Sequence, residues 1–522
     1  MPLSPRRRRP ARQQPLTGGF ALAVLAAFLL LGCPAGEPTT PERPPSTADV
    51  HDVPTPTEYL EAALRAGLWL DTQERAVEIG RSWVEPTDLG DSAAAYPDRV
   101  PFHHNLYAGN IGVVLYWLER WRHTLNDEAL AKARAGADHI LASLPASLPE
   151  APPESTVDAV QVAPGDLYGL YTGWGGVAWG LEQVHRATGD ARYRQGALQL
   201  LDQIHQSVDL AGTDHSSQAE GGENEGAPLV AWSLVTDVLL GNAGIGLLLL
   251  WADTTYDRPE SRALAAGTGR WLLAHAEPRP GGISWPIELG GDLVMPNFSH
   301  GAAGNGYFLA SLYQATGEQT FLDGALAASG HLLTIADTGA AMRDDAADGE
   351  TCLIFHFEGD GEERHYLGFC HGPVGTTRFF ERLHAVTGDD TWHDWVERGT
   401  RALTASGIPE HQTPGYWNNV SQCCGAAGVI DHFVAQYRRT GDRAHLDFAR
   451  RMADDLIARA TADDSGGLRW IQAEHRVRPD ELEAQVGYMQ GAAGIGIALF
   501  HLDAALRDRD LEPLRFVDNP WP

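Results

Sequence analysis

The sequence predicts an all-α protein in which seven helical hairpins close into an α/α toroid. The main observation is a four-residue motif, Gly-x-x-Gly, that occurs seven times, each time at the start of an apolar helical run. Successive motifs are 53 to 71 residues apart, and a repeat of this length is typical of repetitive architectures. The first glycines of the motifs are Gly109, Gly173, Gly241, Gly301, Gly372, Gly425 and Gly491.

A second kind of helix is predicted between successive motifs. Residues 127–144, 191–208 and 443–460 carry apolar side chains at steps of three and four, with polar side chains between them, as in an amphipathic helix. One more such run, at 58–76, precedes the first motif. Helices that are apolar nearly all round must be buried, and helices with one apolar stripe can cover them. We therefore expect a Gly-led inner ring inside an amphipathic outer ring.

Four of the junctions between the two kinds of helix share one short pattern. Thr188, Thr316, Thr387 and Thr440 are each followed by Gly and then by Asp or Glu. Glycine suits the left-handed position after a helix, and an acidic residue after it can cap the next helix or complement its dipole. The pattern predicts tight turns at these four places.

The first 57 residues are predicted to be an export signal and a tether. Five Arg in residues 6–12 precede an apolar run that ends at Gly32-Cys33, as in a secretory signal peptide. The residues before Cys33 resemble a bacterial lipobox, so we expect residues 1–32 to be removed and Cys33 to be lipidated. The alternative is an ordinary cleaved signal. Residues 33–57 are rich in Pro and Thr and predict an extended tether.

Composition sets limits on function. The chain has 522 residues, a formal net charge of −30 and 43% hydrophobic residues, so it can bury a large core and is unsuited to binding nucleic acid or anionic lipid. Any membrane contact is then expected only through a lipid on Cys33. Five Cys cannot supply a disulfide framework for a body this size. We predict a monomeric toroid over 58–510, with 511–522 as a C-terminal tail.

The candidate chemistry lies directly before the glycine motifs. In a toroid these positions converge on one central cavity, and they contain Cys370, Cys423 and Cys424. Three thiolates match a Zn²⁺ site with one open position. Two alternatives remain open: a structural zinc with His371 as fourth ligand, and a disulfide between Cys423 and Cys424. Cys352 lies away from any motif and is interpreted as a bystander.

At this point the chain resembles the lanthionine synthetase C-like proteins over about residues 58–508. The resemblance rests on the seven motifs, on FCHGPVG at 369–375 and on QCCGAAG at 422–428. It implies that Cys370, Cys423 and Cys424 bind Zn²⁺, with Cys424 in place of the family's usual His. Family positions also match Asp237 and His300.

The resemblance implies the addition of a peptide or small-molecule thiol to a dehydroalanine or dehydrobutyrine, giving a thioether. Zinc would activate the thiol, His300 would protonate the product enolate with help from Asp237, and His371 would be a reserve acid or base. The family's active-site Arg is replaced here by Tyr366, and Arg364 is the nearest substitute.

Two rival functions come from other classes of protein. One is a glycan-processing α/α toroid, for which Trp174, Trp285 and Trp417 would have to line a cleft. The other is a zinc-stabilised peptide-binding protein without catalysis. Predicted export also departs from the cytosolic setting usual for lanthionine formation, so the thiol and its acceptor stay open.

Overall fold

The computed structural model describes residues 56–84, 103–146, 167–208, 228–339, 350–354, 365–411, 419–473, 482–509 and 511–521. The predicted signal peptide, Cys33, Arg364 and Trp417 lie outside these ranges. Within them, no helix is both long enough and apolar enough to cross a membrane.

Seven outer helices and seven inner helices make up the described part of the chain. The outer helices are α1 (Pro56–Thr72), α3 (Asp127–Ala142), α5 (Ala191–Ser207), α7 (Pro259–Ala274), α9 (Gln319–Ile335), α11 (Thr391–Ala405) and α13 (Arg443–Ala458). The inner helices are α2 (Asn110–Thr124), α4 (Trp174–Thr188), α6 (Asn242–Tyr256), α8 (Ala302–Thr316), α10 (Pro373–Thr387), α12 (Ala426–Thr440) and α14 (Ala492–Leu506).

Each inner helix packs against the next, and the last inner helix α14 packs against both α2 and α1. The ring is therefore closed, and the first outer helix completes the seventh hairpin. This arrangement confirms the predicted all-α toroid.

In the described ranges, four short antiparallel strand pairs lie between an outer helix and the loop that precedes the next inner helix. Their strand pairs are β1 (Arg75–Ala76) with β2 (Arg81–Ser82), β3 (Glu277–Arg279) with β4 (Gly282–Ser284), β5 (Thr461–Ala462) with β6 (Leu468–Arg469), and β7 (Ile471–Ala473) with β8 (Leu482–Ala484). They connect outer helices to the loops before the inner helices.

The glycine motifs are required by close backbone packing. The first glycine of each motif is the residue before an inner helix, and a Cβ on Gly425 would lie 2.5 Å from the carbonyl carbon of Asn419. A Cβ on the second glycine, for example Gly375, would collide with the carbonyl oxygen of Phe369. Both positions therefore let the loop fold back over the first turn of its own inner helix.

The predicted tight turns are present. Gly189, Gly317, Gly388 and Gly441 have φ between 67° and 74°, in the left-handed region that favours glycine. Asp190 and Asp442 accept backbone hydrogen bonds from the helices that follow, whereas Glu318 makes no side-chain cap bond.

A closed circle of backbone hydrogen bonds joins the seven loops before the inner helices. In each loop, the residue two places before the first glycine donates its N–H to the carbonyl of the equivalent residue in the next repeat, at 2.9–3.3 Å. Going round, these residues are Tyr107, Tyr171, Leu239, Ser299, Cys370, Cys423 and Met489, and Met489 donates to Tyr107. Equivalent side chains are thereby held at one level around the axis.

Residues 511–521, predicted only as a tail, pack into the ring. The Phe516 ring lies 4.4 Å from that of Trp179 and 4.8 Å from that of Tyr488, centroid to centroid. Asp518 is fully buried, accepts a 2.7 Å hydrogen bond from the Tyr171 hydroxyl and lies 3.3 Å from the Arg378 guanidinium. The segment and the inner helices line a cavity of about 60 Å³.

A buried charge network joins the last inner helix to its neighbours. His501 on α14 donates to Asp431 on α12 at 2.9 Å and lies 3.7 Å from Glu119 on α2. Burial alone would lower the pKa of His501, but Asp431 and Glu119 outweigh burial and raise it to about 9. Glu119 also accepts the backbone N–H of Leu514, so the network reaches the C-terminal segment.

We expect Asp518→Ala to destabilise the protein, because it leaves the mostly buried Arg378 guanidinium without its carboxylate. Breaking a buried pair from one side costs about 3–5 kcal/mol. Urea unfolding of the full chain measures the loss. Glu512→Ala, in the same segment but exposed, is the control and should change the free energy of unfolding by less than about 0.5 kcal/mol. Equal effects of the two variants would show that the segment is not anchored through Asp518.

We also expect His501 to make stability depend on pH. Its folded pKa of about 9 lies above the ordinary value of 6.5, so its contribution is complete below about pH 6.5 and is lost as the pH rises through 9. The shift corresponds to about 3 kcal/mol. Urea unfolding near pH 6 and above pH 9 should show a decrease that His501→Gln removes and that the exposed control His411→Gln retains. An unchanged pH dependence in His501→Gln would contradict this assignment.

Candidate metal centre

The structure brings Cys370, Cys423 and Cys424 together at the end of the ring where the seven inner helices begin, which we call the mouth. All three are buried, with 2–7% of each residue exposed. The Cys424 sulfur lies 2.9 Å from the Cys370 sulfur and 3.2 Å from the Cys423 sulfur. The Cys370 and Cys423 sulfurs are in disulfide contact. Residues 53 positions apart in sequence therefore supply one sulfur cluster.

Backbone hydrogen bonds hold the three cysteines in place. The Cys370 N–H donates to the Cys423 carbonyl at 3.1 Å as part of the circle joining the loops, and the Cys370 carbonyl accepts from both the N–H and the hydroxyl of Ser299. The Cys424 N–H donates to the Ser421 hydroxyl at 3.3 Å. Because each cysteine sits on a loop fixed at both ends, the sulfurs converge without long flexible connections.

The donor set fits a soft divalent metal such as Zn²⁺. Thiolate sulfur binds Zn²⁺ at about 2.3 Å, and three thiols collected at one point supply three ligands of a four-coordinate site. A Cys370–Cys423 disulfide would use two of these sulfurs and leave the third packed against both. The same three residues thus have an oxidised and a metal-binding form available to them.

The two other arrangements left open by the sequence do not match this geometry. The structure pairs Cys370 with Cys423, while the Cys423 and Cys424 sulfurs stay 3.2 Å apart. Within the part of the chain that the structure describes, the group of mutually close ligand atoms around these sulfurs contains the three cysteines and does not include His371. A fourth protein ligand from His371 is therefore not in place.

Cys352 lies apart from the cluster. It is 4% exposed, its N–H donates to the Arg398 carbonyl at 3.2 Å, and burial raises the pKa of its thiol to about 12. A thiol that stays protonated at neutral pH is a poor metal ligand and a poor nucleophile. The geometry is consistent with a packing role for Cys352.

Asp237 and His300 form a hydrogen-bonded pair beside the cysteines. The His300 Nδ1 lies 2.6 Å from one Asp237 oxygen, and the other oxygen accepts the N–H groups of Leu240 and Gly241 at 2.8 and 2.9 Å. Asp237 is fully buried and His300 is 6% exposed. The carboxylate is thus fixed by the start of α6 and in turn fixes the imidazole, which leaves Nε2 as the ring nitrogen for proton exchange.

His371 and Tyr366 extend this pair. The His371 ring stacks on that of His300 with centroids 5.5 Å apart, and the Tyr366 ring lies 6.0 Å from that of His371. His371 directly follows Cys370 in the chain, so the imidazoles and the sulfur cluster share one side of the mouth. Arg364, the predicted substitute for the family's arginine, lies outside the described residues.

Two residues with a place at this site were not predicted. The Tyr107 hydroxyl lies 3.5 Å from the Cys423 sulfur and accepts a 2.7 Å hydrogen bond from the side-chain amide of Gln490. The Gln472 amide donates to the Gln490 side chain at 3.2 Å. Tyr107 and Gln490 stand at the same two positions before their motifs as the cysteines do, which is the signal that could have identified them.

The loop positions away from the cysteines carry uncharged side chains directly before their motifs. Ala108, Thr172 and Leu240, on the side away from the cysteines, are partly exposed. Trp174 and Trp285, which a glycan-processing toroid would need in an open cleft, are 3% and 0% exposed. The Trp285 indole donates to the Leu272 carbonyl at 2.8 Å. These two tryptophans are core residues, so the glycan-processing interpretation loses their support.

The chain matches a protein-family model over part of its length, and it shares its fold with a solved structure. The family model described as "Lanthionine synthetase C-like protein" matches residues 100–268, which include Asp237 but none of the three clustered cysteines. Nisin cyclase is 15% identical to this chain, with a TM-score of 0.51, over 79% of this chain and 96% of the cyclase. What the two share is the fold.

Two further solved structures are less similar. The Lin0763 protein from Listeria innocua has 14% identity and a TM-score of 0.42, over 87% of this chain and 99% of its own. A GH76 α-mannanase from Bacteroides thetaiotaomicron has 11% identity and a TM-score of 0.41, over 87% and 97%. No curated protein matches the sequence.

We expect Cys424→Ser to lower the zinc retained by one ion per chain, because a hydroxyl is a far weaker ligand for Zn²⁺ than a thiolate. Zinc retained after dialysis of the reduced full-length protein is the measurement. Cys352→Ser, a second buried thiol outside the cluster, is the matched control and should retain the metal. Zinc retained equally by both variants would show that the sulfur cluster is not the metal site.

Proposed function

We propose that this chain is a lanthionine synthetase C-like protein that adds a thiol to the β-carbon of a dehydrated amino acid, with Zn²⁺ held by Cys370, Cys423 and Cys424. The observation that carries the proposal is the convergence of three buried sulfurs beside a hydrogen-bonded Asp–His pair at one mouth of the ring. The family-model match over residues 100–268 and the fold shared with nisin cyclase support it.

The chemistry needs an ionised thiol and a proton donor. Zinc bound by three thiolates would lower the pKa of a fourth, substrate thiol. Such a donor set is electron-rich, which favours a nucleophilic sulfur. The chain's own part is to keep the three sulfurs together and to bury them, since the loops that carry them are joined by backbone hydrogen bonds.

His300 is the proposed proton donor. In the addition, the substrate sulfur forms a bond to the β-carbon while the carbon–carbon double bond gives up an electron pair to the α-carbon and its carbonyl. The α-carbon then takes a proton from His300 Nε2, and the proton released by the thiol returns to His300 through solvent, so that the addition of S–H across the double bond balances. Asp237 is a positioning residue, because it holds His300 through Nδ1 and does not reach the substrate side of the ring.

Tyr366 marks the main departure from the family pattern. It stands where the family has an arginine, and its ring lies close to His371. Charge that develops on the substrate carbonyl would then be met by His371 or by Tyr366, with Arg364 as a further aid. His371, stacked on His300, is a reserve acid or base for the same site.

The substrates and setting form part of the proposal. The thiol and its acceptor are a peptide, or a peptide and a small thiol, and the neutral side of the mouth formed by Ala108, Thr172 and Leu240 suits an uncharged segment. We propose that the protein is exported, that a lipid on Cys33 anchors it in a bacterial cell envelope, and that it acts as a monomer.

We expect His300→Asn to slow thiol addition to a dehydroalanine peptide by about 100-fold or more, the usual loss for a general acid, while tight zinc is retained. Asp237→Asn should lower kcat and leave KM nearly unchanged, because an amide holds the His300 ring in place less firmly than a carboxylate does. The measurement is zinc-dependent adduct formed with a model thiol, followed by mass spectrometry.

The control for this experiment is His411→Gln, at an exposed histidine outside the seven motifs, which should leave the rate unchanged. If the wild-type protein binds zinc but forms no adduct with any thiol tested, a peptide-binding role without catalysis replaces the proposal. If adduct forms and His300→Asn is as fast as wild type, His300 is not the proton donor.

A further inference from the structure

A second group of potential metal ligands lies farther along the fifth hairpin. Glu381 and His384 lie one turn apart on α10, and His393 lies in the first turn of α11. One ligand atom from each lies within 4.8 Å of the other two. Glu381 is eight residues past the start of α10, about 12 Å along the helix from the end that carries Cys370.

The three side chains already face one another. The imidazole rings of His384 and His393 stack with centroids 3.5 Å apart and planes 21° apart. The His393 Nε2 lies 3.4 Å from a Glu381 carboxylate oxygen. All three residues are partly exposed, so an ion can reach them from solution without unfolding of the hairpin.

The local electrostatics favour a cation. His384 lies in the last turn of α10, where the unpaired carbonyls of the helix end carry partial negative charge. The Asp390 carboxylate, in the turn between the helices, lies 3.3 Å from the His384 Nε2. Arg439, whose charge acts on His393, is itself ion-paired with Glu397, so its positive charge is compensated locally.

We propose that Glu381, His384 and His393 bind a divalent transition metal at a site separate from the three cysteines. Two imidazole nitrogens and one carboxylate oxygen suit Zn²⁺, Ni²⁺ or Cu²⁺, whereas Ca²⁺ and Mg²⁺ prefer oxygen ligands. Three protein ligands leave a position open to water. The ion ties α10 to α11, and it stabilises the hairpin whose inner helix begins beside Cys370 and His371.

The test is equilibrium dialysis of the reduced, metal-free full chain against micromolar Zn²⁺. We expect the double variant His384→Gln/His393→Gln to bind one zinc fewer per chain than the wild type. His411→Gln, which removes one exposed histidine elsewhere, should bind as many as the wild type. Equal zinc in the double variant and the wild type overturns the proposal, and equal loss in His411→Gln shows that surface histidines bind unspecifically.

Two further measurements guard against a folding defect and against confusion with the sulfur cluster. Glu381→Gln changes only one ligand and should weaken the second zinc by about tenfold or more, with circular dichroism unchanged. Co²⁺ bound by thiolates gives intense charge-transfer absorption, whereas Co²⁺ bound by nitrogen and oxygen does not. If the zinc lost in the double variant corresponds to Co²⁺ with thiolate absorption, the second site does not exist.

This result is independent of the proposed activity. Loss of one metal in the double variant supports the second site even if the three cysteines are oxidised and bind none. Conversely, if the wild-type protein is catalytically active and the double variant binds as much zinc, the second site is rejected. The proposed thiol chemistry is unaffected by that result.

Discussion

The closed circle of backbone hydrogen bonds between the seven loops is the constraint on which the rest of the structure depends. It requires each loop to lie flat over the start of its own inner helix, and only glycine leaves room for that approach at two positions of every motif. Because the circle returns from Met489 to Tyr107, no repeat can shift along the axis without breaking bonds on both sides. The positions of all seven loops along the axis are therefore set together.

This common register explains why the cysteines and histidines at the mouth lie close together. Cys370 and Cys423 are themselves members of the circle, so their sulfurs are presented at one level, and Cys424 and His371 follow them directly. Asp237 uses one carboxylate oxygen to bind the start of α6 and the other to hold His300. The three cysteines and the Asp237–His300 pair are thus positioned by the same backbone framework that closes the ring.

The C-terminal segment fills part of the ring. Phe516 stacks on inner-helix and loop aromatics, Asp518 pairs with Arg378, and Leu514 is held by Glu119. Glu119 in turn belongs to the His501 network that spans the junction between α14 and α2. The closing of the ring and the docking of the C-terminal segment are therefore coupled through one buried carboxylate.

Much of this could be read from the sequence, because it follows from local steric demands that repeat. The glycine motifs, the Thr-Gly-acid turns and the alternation of apolar and amphipathic helices gave seven hairpins and placed three cysteines at equivalent positions. Tertiary structure alone decided which cysteines touch, that His371 does not join them, that Tyr107 reaches Cys423, and that residues 511–521 enter the ring. Such contacts join residues as far apart as Tyr171 and Asp518, 347 positions in sequence, and pairs at that separation leave no local pattern to read.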